Sequence, residues 1–210
     1  RKTARVKTIT FIEVREAAIH RAMLETGEVV ASAPALKDWP VLTQKNFKPL
    51  SGSGFDNFNN IAFGGNWWEK NSARTGQPLV RVRDITKPWV GNPFEKGDVY
   101  DENTPSMQRS LKVRLALAYA IDREGLNKSL LAGLGKPIYF GYQPAGDTTF
   151  FKKGAFPVGW EFPYDLNKAK ALLKEAGYEN GFEMDFWVGP TGLGVELMDA
   201  ISGIWLAELK

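Results

Sequence analysis

The chain has 210 residues, of which 43% are hydrophobic and 24% are charged, and its formal net charge is +3. This length and composition allow one or two domains with a hydrophobic core, while the dispersed basic residues argue against a nucleic-acid-binding surface. No apolar run reaches the roughly 18–20 residues that span a bilayer. The absence of cysteine excludes disulfides, thiol nucleophiles and thiolate metal sites.

The N-terminal part is predicted to contain strands and one helix. Residues 5–14 are β-branched and aromatic with partial alternation, which is typical of a strand with one buried face. Residues 16–26 carry apolar side chains at helical spacing and are followed by Gly27, a common helix terminator. Shorter strands are predicted at 29–33 and 58–63.

Residues 64–110 are rich in Gly and Pro, contain Trp67, Trp68 and Trp89, and show no persistent period. We interpret this stretch as a long loop, and structureless stretches of this length are uncommon in compact domains unless they are functional. A short hairpin is predicted around Leu79–Ile85. The indoles are expected to pack on something, since large exposed rings form an adhesive patch.

Residues 112–137 are predicted to form two consecutive helices joined at Asp122, because apolar side chains recur at helical spacing on both sides of it. The short carboxylate of Asp122 can accept hydrogen bonds from the free N–H groups of the second helix. Gly135 and Pro137 are predicted to end that helix.

The C-terminal part is predicted to be helix, strand and helix. Asp165 is expected to cap a helix over 166–176, and residues 182–188 alternate between apolar and polar side chains. A final helical stripe continues to Lys210, so we expect the chain to be a piece of a longer protein. The alternation of strands and helices predicts an α/β class.

Two sequence blocks carry a family resemblance. One is Val113–Leu126, Val-Arg-x-Ala-Leu-Ala-Tyr-Ala-Ile-Asp-Arg-Glu-x-Leu, continued by Leu-x-Gly-Leu-Gly-x-Pro. The other is Pro163–Tyr178, followed by Asn-Gly-Phe. A third block at 5–33 is weaker, since Val30 stands where the family usually has Asp. In this order the blocks resemble the peptide/nickel-type (family 5) extracellular solute-binding proteins of ABC transporters.

The resemblance implies a two-lobed protein that closes over a peptide-like solute by a hinge and delivers it to a membrane permease. Residues 1–210 would form much of the second lobe, a mixed sheet flanked by helices as in type II periplasmic binding proteins. The first lobe would come from sequence before Arg1 and after Lys210. The long loop at 64–110 would be an insertion, since the family usually joins the preceding strand to the helix at 113 by fewer residues. The implied location is periplasmic or extracellular, and the implied protein is not an enzyme and needs no cofactor.

The predicted ligand-binding residues lie at three places. Asn66 and Trp67 follow Gly64-Gly65 at a strand end, where an amide and an indole can bind and cover a ligand. Arg15 and Glu16 follow the first predicted strand. They are suited to the charged end of a zwitterionic ligand, and equally to an ordinary helix start.

The third place is the loop 189–194, which includes Gly189, Thr191 and Gly192. The glycines of this loop fit a tight connection between a strand and a helix. They also fit a ligand-binding loop, because the resembled family places this junction at the groove between the two lobes. A dinucleotide site is disfavoured, since the order Gly-x-x-Gly-x-Gly is wrong and Pro190 removes a donor.

Catalytic residues are scarce in this sequence. His20 is the single histidine and there is no cysteine, so a histidine–cysteine metal cluster cannot form. A Ser-His-Asp triad would have to use His20. The alternative functions that stay open are a hydrolase that uses an aromatic-lined cleft and a regulatory or chaperone-like use of the same scaffold.

Overall fold

The computed structural model describes residues 6–50, 60–65, 71–79, 83–135, 162–188 and 192–209. The described part is mainly helical. Its α-helices, in chain order, are α1 (Ala17–Thr26), α2 (Trp39–Gln44), α3 (Pro105–Tyr119), α4 (Arg123–Leu130), α5 (Leu166–Glu175) and α6 (Gly192–Glu208), and a 3₁₀ turn at Leu36–Asp38 precedes α2.

The N-terminal segment contains α1 and α2. The predicted helix end is confirmed, because Gly27 adopts φ 73° and its N–H bonds back to the helix. Arg21 forms ion pairs with Glu25 (2.9 Å) and Asp38 (3.0 Å), which connect α1 to the 3₁₀ turn. Of the predicted apolar face of α1, Met23 is buried, whereas Ile19 and the alanines around it are exposed.

Helix α3 is the centre of the C-terminal core. It begins at Pro105, within the stretch predicted to be a loop, because Thr104 caps it by accepting a hydrogen bond from the N–H of Met107 and proline is favoured in the first turn. Val113, Ala116 and Ala120 are fully buried along its length.

Helix α5 packs along α3. Ala169 is fully buried and Leu173 is 2% exposed, so small and branched side chains alternate at the contact. The predicted cap is confirmed, since the Asp165 carboxylate accepts from the N–H of Lys168 at 2.9 Å. The positive φ of Gly177 (81°) follows the helix end.

The joint between α3 and α4 is fixed by polar contacts. Asp122 accepts from the N–H of Gly125 at 2.8 Å, which confirms the predicted cap. Arg123 donates to the carbonyl oxygens of Ala118 (3.3 Å) and Phe162 (3.1 Å). The N–H of Asp165 donates to the Tyr119 carbonyl at 2.9 Å. These bonds hold the end of α3 and the start of α5 together.

The end of α4 differs from the prediction. The helix stops at Leu130, and the left-handed residues are Ala132 and Gly133 rather than Gly135. The cause is the Asn127 side chain, which donates to the Gly135 carbonyl (3.0 Å) and accepts from the Gly135 N–H (2.8 Å). This double hydrogen bond folds the chain back before a longer helix can form.

Helix α6 packs against α4. Ile201, Trp205 and Leu209 are buried on one side of it, while Val195 in its first turn is 40% exposed. Phe186 contacts Trp205 with ring centroids 5.5 Å apart. None of the helices described here has the length and hydropathy needed to cross a bilayer.

The predicted mixed sheet is not confirmed. Where they are described, the expected strands at 5–14, 29–33, 58–63 and 182–188 are not paired into a ladder, and the β pairing found is an isolated antiparallel bridge between Asn71 and Pro78. Alternation in a sequence specifies which face is buried, but a strand also needs a second backbone beside it. Of the predicted hairpin at Leu79–Ile85, residues 80–82 lie outside the described residues, and the described positions 79 and 83–85 are not assigned to a strand.

Candidate ligand-binding region

Trp89 organises the region that contains the predicted ligand residues. Its ring is 8% exposed and lies between Phe63 and Phe182, with centroid distances of 6.4 and 6.2 Å. Tyr178 extends this aromatic cluster by an edge contact with Phe182 at 5.4 Å. The indole N–H of Trp89 donates to the Gly64 carbonyl at 2.9 Å. The sequence alone allows the Trp89 ring either to stack on a ligand or to pack in the protein, and the structure places it in the core.

The segment that carries Trp89 is fastened to α3. Arg114 donates from Nη1 to the Trp89 carbonyl at 2.7 Å, and burial lowers the pKa of this guanidinium. The Asn92 N–H donates to the Ser106 hydroxyl at 2.6 Å, and the Thr104 hydroxyl donates to the Asn92 carbonyl at 2.6 Å. The start of α3 therefore determines where Trp89 sits.

Gly65 is held by the same segment. Its φ is 90°, and a Cβ built on it would lie 3.1 Å from Cγ2 of Val90. Its carbonyl accepts from the N–H of Asp84 at 3.3 Å. The left-handed backbone and the close neighbour both favour glycine at this position. The next residues in the chain are Asn66 and Trp67, the predicted ligand contacts, which lie outside the described residues.

A second segment leads to the other predicted loop. In residues 182–188, Phe182, Met184 and Phe186 pack against the core, whereas Trp187 is 95% exposed. The predicted alternation of faces is thus present without strand pairing. A Cβ built on Gly194 would lie 3.6 Å from Cγ1 of Val188, so the two ends of the connection approach each other closely enough for a methyl group at position 194 to touch Val188.

The other predicted ligand residues are only partly described. Gly189 and Thr191 lie outside the described residues, and Gly192 is the first residue of α6. Arg15 is 89% exposed and its Nε is 3.4 Å from Oε1 of Glu13. Glu16 is the exposed N-cap position of α1, without a side-chain cap hydrogen bond. The described hydrogen bonds of residues 6–50 stay within that segment and do not reach Gly64.

A small open pocket of about 140 Å³ lies at the joint between α3 and α4. It is lined by Ile121, Asp122, Arg123, Glu124, Phe162, Pro163 and Tyr164. Burial, followed by the charges of Asp122 and Glu208, raises the pKa of Tyr164. The pocket volume is far below the several hundred Å³ of a typical small-molecule site. The pocket can therefore hold no more than a small chemical group. Sequence reasoning did not predict this pocket, although Asp122–Glu124 marked its position.

Metal and catalytic chemistry find little support in the described part of the chain. No group of three or more histidine, cysteine or acidic side chains there is placed to hold a metal ion. The two ring nitrogens of His20 lie 2.6 Å from the Ser32 hydroxyl and 3.1 Å from the Val14 carbonyl, so both are used in local structure. Trp68, Tyr139, Tyr142 and Trp160, whose rings the sequence also allows to stack on a ligand, lie outside the described residues.

Comparison with known proteins identifies the class. Residues 1–197 match the family model for bacterial extracellular solute-binding proteins, family 5, middle region. The match covers most of the chain, which therefore belongs to this family, and the resemblance in the sequence blocks is confirmed. The family is named for binding a solute, not for catalysing a reaction.

Individual proteins named for binding glutathione or heme are similar to this chain. The chain is similar to the glutathione-binding protein GsiB of Shigella flexneri serotype 5b (29% identical) and of Escherichia coli K12 (28%), in each case over 87% of this chain and 27% of the relative. It is 41% identical to heme-binding protein A of Haemophilus influenzae over 39% of this chain and 14% of the relative. The chain thus spans about a quarter or less of these relatives. No solved structure matches it significantly.

Proposed function

We propose that the chain is part of the solute-binding component of an ABC importer, which captures a peptide-like solute outside the cytoplasmic membrane and delivers it to the permease. The observation that carries this proposal is the family match over residues 1–197. The relatives named for glutathione, a tripeptide, favour a peptide-like solute. A periplasmic or extracellular location is part of the same proposal and is supported by the family membership.

The proposed ligand contacts are Asn66, Trp67, Gly189, Thr191 and Gly192, with Arg15 and Glu16 at a charged end of the ligand. The aromatic cluster around Trp89 supports the first two, because it fixes the backbone of Gly64 and Gly65 directly before them. The packed segment 182–188 supports the loop that follows it.

Such a protein acts by differential binding. The ligand favours the closed form only by as much as it binds that form more tightly. Moving a two-state equilibrium from 1:99 to 99:1 requires about 5.5 kcal/mol of such a difference. The chain then needs no catalytic group, only a preorganised surface that meets the ligand.

The test is isothermal titration of the full-length protein with glutathione and with short peptides, with mass spectrometry of the solute after incubation. We expect saturable binding with the solute recovered intact. Trp67→Ala is expected to weaken binding at least about tenfold, corresponding to roughly 1.4 kcal/mol. The matched control Tyr100→Ala replaces an aromatic residue that is 53% exposed and packs on Phe94, and it should leave the affinity unchanged.

Three outcomes would reject parts of this proposal. Product formation that is lost when an acid near the proposed contacts is replaced would support the hydrolase. Equal affinity of the Trp67→Ala and Tyr100→Ala variants would remove Trp67 from the site. For Arg15, an unchanged affinity of Arg15→Ala would show that its partner is only Glu13, which it already approaches at 3.4 Å.

A further inference from the structure

We infer that Trp89 is the common positioning residue of the ligand-binding region. It binds Gly64 through its indole N–H and packs against Phe182 through its ring, and so sets the course of both segments that lead to the proposed ligand contacts. This inference rests on the proposed function. Neither the family membership nor the relatives assign a role to this residue.

The link to Gly64 is a single, well-placed hydrogen bond. The donor and acceptor are 2.9 Å apart and 25 positions apart in sequence. Because the indole is 8% exposed, water does not readily replace the Gly64 carbonyl as acceptor. The bond therefore holds two distant parts of the chain in one relative position.

The link to the second segment is a ring contact. Phe182 lies 6.2 Å from Trp89 between centroids, with the planes tilted by 46°. Aromatic pairs at this separation favour a limited range of orientations. The start of the 182–188 segment is thus fixed by the same side chain that fixes Gly64.

Trp89 can serve as a reference point because it is itself immobilised by α3. Its carbonyl accepts from Arg114 at 2.7 Å, and the neighbouring Val90 is 1% exposed. A Cβ built on Gly91 would lie 2.6 Å from Cα of Met107, which shows how closely this backbone approaches the helix. With its ring between Phe63 and Phe182, Trp89 acts through its neighbours, which makes it a positioning residue and not a direct ligand contact.

The experiment compares Trp89→Phe with Trp205→Phe in the full-length protein. Both tryptophans are 8% exposed, and both substitutions keep an aromatic ring and remove an N–H. The indole N–H of Trp205 has no acceptor within the described part of the chain. Comparison of the two variants therefore distinguishes the effect of losing the hydrogen bond to Gly64 from the effect of replacing a buried indole by a smaller ring.

Hydrogen exchange by mass spectrometry is the first measurement. In Trp89→Phe we expect the amide of Asp84, whose N–H donates to the Gly65 carbonyl, to exchange about tenfold faster. Exchange in α5 should be unchanged. Trp205→Phe should leave the Asp84 amide as in the wild type. Phe182→Leu keeps the Trp89 indole N–H and should also leave the Asp84 amide unchanged.

The second measurement is the dissociation constant for glutathione. Trp89→Phe is expected to raise it about tenfold, whereas Trp205→Phe, which removes an indole N–H that has no acceptor in the described part of the chain, should leave it unchanged. Unchanged exchange at Asp84 would overturn the inference, and so would faster exchange with an unchanged dissociation constant. If the wild-type protein binds neither glutathione nor the short peptides, the peptide-like solute of the proposed function fails, and the exchange measurement alone decides the role of Trp89.

Discussion

A single methyl group at position 91 provides a sharp test of how the ligand-binding region is attached to α3. The perturbation is Gly91→Ala. The added carbon would lie 2.6 Å from Cα of Met107, 2.7 Å from its sulfur and 2.8 Å from the Ser110 hydroxyl. Carbon atoms pack at about 3.5–4.0 Å. The side chains can rotate away, but the Met107 Cα belongs to the helix backbone, so the loop must move outward by about 1 Å.

That movement has a second cost. The hydrogen bond from the Asn92 N–H to the Ser106 hydroxyl is 2.6 Å long, and an added 1 Å takes it to about 3.6 Å, beyond hydrogen-bond range. Overpacking of a buried site costs roughly 1–3 kcal/mol, and the lost bond about 0.5–1.5 kcal/mol. The expected loss in the free energy of unfolding is therefore about 2–4 kcal/mol.

The assay is urea denaturation of the intact protein followed by circular dichroism, in which Gly91→Ala should lower the midpoint without changing the slope. Gly203→Ala is the matched control, because Gly203 is exposed on α6 and a Cβ built on it meets nothing within 4 Å. Alanine there should stabilise by up to about 1 kcal/mol. If Gly91→Ala is as stable as the wild type within about 0.5 kcal/mol, the close approach to α3 is not what positions this segment.

Three further predictions concern the core, a cap and a pH dependence. Leu173→Ala, at a side chain only 2% exposed between α3 and α5, should cost about 2–5 kcal/mol in the same urea assay; a cost below about 1 kcal/mol would contradict the packing. Asp122→Ala should cost about 1 kcal/mol and Asp122→Asn much less, since asparagine also caps; equal losses would show that the cap is not the cause. Hydrogen bonds from the Thr86 hydroxyl and N–H hold the pKa of Asp84 below its ordinary 3.8. Because this folded-state pKa is depressed, the stabilising contribution is present above about pH 3.8 and is lost as the pH falls through the lower folded value. The stability difference between wild type and Asp84→Asn should therefore shrink on acidification, and a difference that is constant from pH 7 to pH 2 would refute the assignment.

Helices whose ends are marked by local side chains were predictable from the sequence. Asp165 and Gly177 enclose α5, and Asp122 begins α4, because a cap hydrogen bond joins residues only three positions apart. The start of α3 carried the same kind of signal in Thr104-Pro105. It was missed because the surrounding Gly and Pro residues favoured a loop.

Features that depend on distant partners were not predictable. The end of α4 depends on Asn127 bonding to Gly135 across eight positions, and nothing in the helical period shows this. The alternation in 182–188 indicated its buried face correctly, yet the predicted sheet is not confirmed, since strand pairing is a property of two segments.

The candidate site also has a part that local sequence predicts and a part that depends on distant contacts. The sequence pointed to glycines and aromatic residues near 64–67, and the structure adds that Trp89 donates to Gly64 over a distance of 25 positions. No local pattern distinguishes that indole from the others in the same stretch. Arg15 was a weaker prediction, because an exposed arginine beside Glu13 fits a surface ion pair as well as a ligand contact.

The hydrogen bonds around the α3–α4 joint give α4 a part in holding several pieces of the core at once. Gly135 is tied to Asn127, and Phe162 is tied to Arg123, so two points that are 27 positions apart in the chain are both anchored on α4. Arg123 also donates to the Ala118 carbonyl at the end of α3. Local unfolding of α4 alone would therefore release both anchored points together, and these parts of the core should open as one cooperative unit.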